Sequence, residues 1–164
     1  MRSDRISFLA AVTAGAGLVG FIGVFADWFS LGYQASGTTV ILEYDGTIHT
    51  SGAIAVAAGL GALAFGCAYM LFEDPAIRRI TAVLMAASSL VLFLSSVVGF
   101  ASVGEALGSD PFLPGVEGRA EYVASPAIGL TLSLIAGVIA SFASVVLVSR
   151  RETGAETVAE VEPA

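Results

Sequence analysis

Asp27, Glu43, Asp45 and His49 lie close together in one polar segment. Carboxylates beside an imidazole are the side chains of general acid-base catalysis and of metal ligation. No metal-ligand spacing connects the four, however, and Asp45-Gly46 is accounted for by turn chemistry. His49 therefore supports only the weakest of three functional readings, an outer-face metal-binding or hydrolytic protein. It is the single histidine, which excludes bis-histidine haem ligation and a histidine-rich zinc site within one chain. Cys67 is the single cysteine, so neither an intramolecular disulfide nor a thiolate cluster can form, and it reads as a small buried hydrophobe. No catalytic residue, cofactor site or metal site is expected.

Gly15-Ala16-Gly17-Leu18-Val19-Gly20 matches the spacing of a dinucleotide-binding loop. That loop needs a preceding strand and a helix N-terminus aimed at pyrophosphate, whereas these glycines fall inside an apolar run. Within a membrane helix, Ala16 and Gly20 instead have the small-xxx-small spacing that allows close backbone approach. The same logic is clearest at Gly129, Ser133, Gly137 and Ser141, which recur every four residues and so share one helix face. Such a stripe can serve packing within the chain or association with another copy or another protein. Ser88, Ser95 and Ser96 with the serines of the fourth run could line a polar path, though these and Ser89 can equally bond back to their own helix or across helices.

The elements that position these residues are four apolar runs of about 20 residues each, enough for a helix to cross a ~30 Å hydrocarbon layer. They cover residues 6–26, 51–72, 80–100 and 126–148. With 56% hydrophobic and 13% charged residues, the 164-residue chain has little material for a separate soluble domain. The expected fold is all-α and integral to the membrane: an antiparallel bundle of four transmembrane helices, residues 1–149, with an acidic, solvated and mobile tail over 150–164. The first run is longer than a signal-peptide core and lacks a convincing cleavage site, so it reads as a retained span. The central parts of the spans hold no Asp, Glu, Lys, Arg or His, which disfavours proton pumps and ion-coupled carriers.

Arg2 and Arg5 precede the first run, Arg78 and Arg79 separate the second from the third, and Arg150 and Arg151 follow the fourth. The positive-inside rule then places both termini in the cytoplasm of a multi-pass cell-membrane protein. Asp74 and Pro75 fit an N-cap and the opening position of the third helix. Beyond the membrane, Thr38, Thr39, Val40, Ile41, Leu42 and Tyr44 form a β-branched and apolar run. Asp45-Gly46 follows, then Thr47, Ile48 and His49, a pattern that predicts a short outer hairpin turning at Asp45-Gly46. A third strand is expected from 119–123. Trp28, Phe29 and Tyr33 are expected at headgroup level as aromatic anchors, and Trp28, Tyr33, Tyr44, Asp45 and Gly46 form the candidate outer recognition set. The formal charge of −7 rules against nucleic acid, whose phosphates require a basic face. It suits either a compositional bias of the genome or a high-salt setting.

Four spans, cytoplasmic termini, a larger β-containing first outer loop starting at Trp28-Phe29-Ser30, and a second outer loop before the last span resemble the tetraspan plan of claudin-like proteins and of small prokaryotic four-span proteins. The resemblance is one of topology. Claudins carry a Gly-Leu-Trp segment and two cysteines in the first loop, while Leu31-Gly32-Tyr33 stands here without a loop cysteine, so junction or pore formation is not implied. The expected function is non-enzymatic: a scaffold, an accessory subunit or a self-associating membrane component. It would act through small-residue helix faces and outer loops, with the bilayer, further copies of itself or a larger membrane complex as partners. A passive channel or small-molecule carrier with a serine-lined path is the alternative.

Overall fold

The computed structural model describes residues 2–35, 38–48, 50–103 and 122–159. In chain order these form α1 (Arg2–Val24), β1 (Asp27–Ala35), β2 (Thr38–Asp45), a 3-10 turn (Gly46–Ile48), α2 (Thr50–Leu71), α3 (Pro75–Ser102), β3 (Tyr122–Pro126) and α4 (Ile128–Ala159). Each helix contains a stretch long and apolar enough to cross a membrane: Ser7–Val24, Thr50–Leu71, Pro75–Ser102 and Ile128–Ser149. His49 and the segment 104–121, with Glu105 and Arg119, lie outside the described residues, as do the last five of the acidic tail.

Local chemistry accounts for the helix limits. The Asp74 carboxylate accepts from the N–H of Ala76 at 2.7 Å and of Ile77 at 3.2 Å, and Pro75 occupies the first turn. Donors that α3 would otherwise leave unpaired are thereby satisfied, and the helix begins five residues before its apolar run. α4 continues past its apolar segment to Ala159. Helices α1 and α2, α2 and α3, α3 and α4, and α1 and α4 pack side by side.

The packing is the reverse of a water-soluble protein. Small and hydroxyl-bearing residues such as Ala10, Thr13, Ala62, Ser89, Ser96, Ser133, Ala140 and Ser144 are buried between helices. Large apolar side chains point outward, Phe8 at 66% exposure and Phe142 at 73% among them, with Ile22, Val98 and Ile135 also exposed. Apolar surface this extensive is unfavourable in water and neutral in hydrocarbon, which identifies a multi-pass membrane protein. Two apolar clusters close the interior. One lies near the sheet, around Val24, Trp28, Ala55, Leu92 and Leu130, and the other near the α2–α3 turn, around Ala10, Tyr69, Ala82, Met85 and Leu147.

The strands form a three-stranded antiparallel sheet in the order β2-β1-β3. A third strand is present, as β3, but over Tyr122–Pro126 and so sharing only 122–123 with the expected 119–123, of which 119–121 lie outside the described residues. An antiparallel strand pair does lie between α1 and α2, as expected, but its partner strand and its turn at Asp45-Gly46 are corrected. Residues 38–45 pair with β1, from Ala35 opposite Thr38 to Phe29 opposite Tyr44. Asp45-Gly46 does not turn a hairpin. The Asp45 carboxylate accepts from the backbone N–H of Thr47 at 2.9 Å and from the Thr47 hydroxyl, starting the 3-10 turn that leads into α2. An aspartate side chain that bonds two residues ahead competes with the hairpin geometry that Asp-Gly would otherwise favour.

Candidate functional site

The junction between sheet and helices is built around Trp28. Asp27 is opposite Asp45 while Phe29 is opposite Tyr44, so Trp28 is the extra residue of a bulge in β1. In a regular strand Trp28 and Phe29 would face opposite sides. The bulge re-aims one of them, and both are almost completely buried. Their rings meet edge to face, with centroids 6.2 Å apart.

The indole is gripped from several elements. Its Nε1–H donates to the Gly23 carbonyl at 3.1 Å, filling an acceptor that the end of α1 leaves open, and the Trp28 backbone carbonyl accepts from the Ala127 N–H at 2.8 Å, just ahead of α4. A Cβ at Gly46 would stand 2.6 Å from the indole ring, and one at Gly99 of α3 would stand 3.1 Å from it. Gly52 in turn sits directly on the Gly46 carbonyl, so α2 closes over the same ring. Trp28 is thus a plug shared by all four helices and the sheet. Its expected role as an interfacial anchor is corrected, because an indole with no exposed surface reaches neither headgroup nor water. The same holds for Phe29.

Of the remaining recognition candidates, Gly46 is buried under the ring, and Tyr44 and Asp45 are half-buried. Tyr33 is opposite Val40 and Tyr122 in the register, and its side chain lies outside the described residues. The face turned away from the helices carries other residues. Ile41 is 63% exposed, Glu43 is exposed beside it, and the Ser30 and Ser125 hydroxyls bond across β1 and β3 at 2.8 Å. Sequence reasoning missed this face because it took Trp28 to Tyr33 as an aromatic belt. The alternation of Phe29, Leu31 and Tyr33 with Ser30, Gly32 and Gln34 is a strand signal.

The small-residue stripe of α4 is occupied from within the chain. Gly129 lies against the Gly23 carbonyl and Ala26. The Ser133 hydroxyl donates to the Gly20 carbonyl at 3.2 Å, and a Cβ at Gly137 would stand 2.7 Å from the Phe93 backbone. Ser141 is half-buried, and its Oγ has no hydrogen-bond partner among the described residues. Gly20 faces Leu92 and Ala136, and Ala16 is buried. Along the α1–α2 contact, Gly17 and Ala14 meet Gly59 and Gly66. These glycines bring backbones together inside one molecule, and a second copy could use them only by displacing α1 or α3.

The buried hydroxyls are turned toward their own helices. Ser89 donates to Met85, Ser95 to Val91, Ser96 to Leu92, Thr13 to Leu9, Thr81 to Ile77 and Ser144 to Ser141, all at carbonyl oxygens. Ser133 alone among these crosses between helices. Cys67 is half-buried in α2. Among the described residues no group of three histidine, cysteine, aspartate or glutamate side chains assembles that could hold a metal ion. Asp27 and Asp45 face each other at the bulge, and His49 lies outside the described residues. No protein-family model matches the chain, and a search of curated proteins finds no similar sequence.

Proposed function

We propose that this protein is a non-enzymatic scaffold or accessory subunit of the cell membrane. Its four helices form an antiparallel bundle, its termini and the α2–α3 turn face the cytoplasm, and its sheet is held outside as a rigid recognition surface. The layout is that of a claudin-like tetraspan protein without the claudin loop motif. The observation that carries the reading is the Trp28 junction. An indole wedged against Gly46 and Gly99 and bonded to Gly23 fixes a small sheet rigidly above the helices, an arrangement suited to presenting a surface. The interior favours this over a serine-lined path, since its hydroxyls are already bonded to their own helices.

The surface offered is the outward row of Ser30, Ile41, Glu43 and Ser125, and association proceeds through it rather than through the α4 stripe. The test is cross-linking in native membranes followed by gentle detergent purification. Ile41→Arg combined with Glu43→Arg should abolish the cross-linked species while leaving thermal stability within about 0.5 kcal/mol, as for other exposed positions. A cross-linking pattern unchanged by the double substitution, or a wild-type protein that cross-links to nothing, defeats the proposal.

A further inference from the structure

The end of the molecule opposite the sheet gathers its basic residues. α1 begins at Arg2 and includes Arg5, α3 carries Arg78 and Arg79 in its first turns, and α4 carries Arg150 and Arg151 just past its apolar segment. Paired contacts run antiparallel, Gly17 with Gly59 and Gly66 with Ala10, Gly20 with Ala136 and Gly23 with Gly129, so these helix ends share one side. Six of the seven arginines thus stand at this end of a chain of formal charge −7, interleaved with Asp4, Glu73, Asp74, Glu152 and Glu156.

Arg78 is held in place, unlike a freely swinging surface arginine. Its Nε–H donates to the Phe72 carbonyl at 2.6 Å, and its guanidinium carbon lies 5.8 Å from the centre of the Tyr69 ring, which is buried. The carbonyl is that of the residue directly after α2, where a cation also meets the negative end of the helix dipole. Among the described residues, no ion pair engages Arg78 or Arg79. Asp74, the nearest carboxylate in sequence on this side, is turned onto the N–H groups of Ala76 and Ile77. At the same α2–α3 turn, Leu71 is 78% exposed, and Phe72, Ile77 and Ile80 are exposed as well.

We propose that Arg78, assisted by Arg79, seats the phosphate of an anionic phospholipid whose acyl chains lie along Leu71, Phe72 and Ile80. A guanidinium fork pairs with two phosphate oxygens at once, and one already oriented by a carbonyl and a ring loses little freedom when it does so. The exposed apolar rim selects an amphiphile over a soluble anion, because a free phosphate has no use for it. This inference rests on the helices crossing a bilayer, and it stands or falls independently of the scaffold reading.

The test is native mass spectrometry of the full chain after exposure to equal amounts of phosphatidylglycerol and phosphatidylcholine. Wild type should retain phosphatidylglycerol preferentially, by about fivefold or more, the scale of one arginine near an anionic surface. Arg78→Gln keeps an N–H donor for the Phe72 carbonyl and should lose that preference, with its melting temperature in phosphatidylcholine unchanged. Arg151→Gln removes the same charge from the same end and should lose much less. Millimolar inorganic phosphate should not displace the lipid. The proposal is overturned by equal retention of both lipids, by an Arg78→Gln variant that behaves as wild type, by equal losses in the two variants, or by displacement with inorganic phosphate. Should Arg78→Gln fail to fold, Arg79→Gln replaces it and must weaken the preference.

Discussion

At the residue scale the molecule turns on Trp28. Removing its ring leaves a large void between Gly46, Gly99 and Leu130 and strips Gly23 of its donor. Trp28→Ala is therefore expected to cost about 3–5 kcal/mol, the range for truncating a large buried aromatic, measured as denaturation in mild detergent. Trp28→Phe keeps much of the packing and loses the hydrogen bond, and should cost about 1–3 kcal/mol, since a buried acceptor is left unpaired. The opposite change tests the same contact. Gly46→Ala places a Cβ 2.6 Å from the indole and should destabilise by about 1–3 kcal/mol through overpacking. Because Trp28 is the only tryptophan, its fluorescence reports directly on the junction: emission should be blue-shifted and resistant to an aqueous quencher in wild type, and should turn red with quenching in Gly46→Ala.

At the scale of elements, the helices were legible and the sheet was only partly so. Apolar run length locates all four helices, because a bilayer demands one value of it, and Asp74-Pro75 locates the start of α3. Asp74→Ala should cost about 1 kcal/mol, seen as a lowered melting temperature, as for other N-cap removals. A strand over 38–44 and a third strand, expected at 119–123 and found at 122–126, were also partly readable, yet the pairing partner of β2 was not. Asp45-Gly46 signals a hairpin only if the Asp45 side chain stays free, and here it bonds to Thr47 instead. The true neighbour, β1, has its alternation broken by the bulge at Trp28, and a bulge has no signature in a single sequence. The α4 stripe was readable as a packing face, but not which helix would fill it. Since Gly137 rests on the Phe93 backbone, Gly137→Leu should force α3 and α4 apart and cost more than about 3 kcal/mol, measurable as loss of folded protein after heating in detergent.

At the scale of the whole molecule, the interior is small and hydroxylated and the exterior large and apolar. That inversion makes lipid the solvent of the helices, and the clustering of six arginines at the turn end gives the proposed orientation its sign. Orientation can be measured with thiol chemistry, since Cys67 is the sole cysteine. In a Cys67→Ser background, a cysteine at Ser125 should react in intact cells with a membrane-impermeant maleimide, and a cysteine at Glu73 should react only after permeabilisation. The reverse pattern would invert the proposed topology. Membrane insertion, helix number and the placement of the arginines follow from the sequence alone, because hydrophobic length and charge are properties each segment carries without reference to its neighbours. Which glycine meets which backbone, which strand pairs with 38–45, and whether Trp28 faces lipid or core depend on contacts between segments distant in the chain. Only the tertiary structure, where a one-residue bulge turns a presumed membrane anchor into the central plug, could decide them.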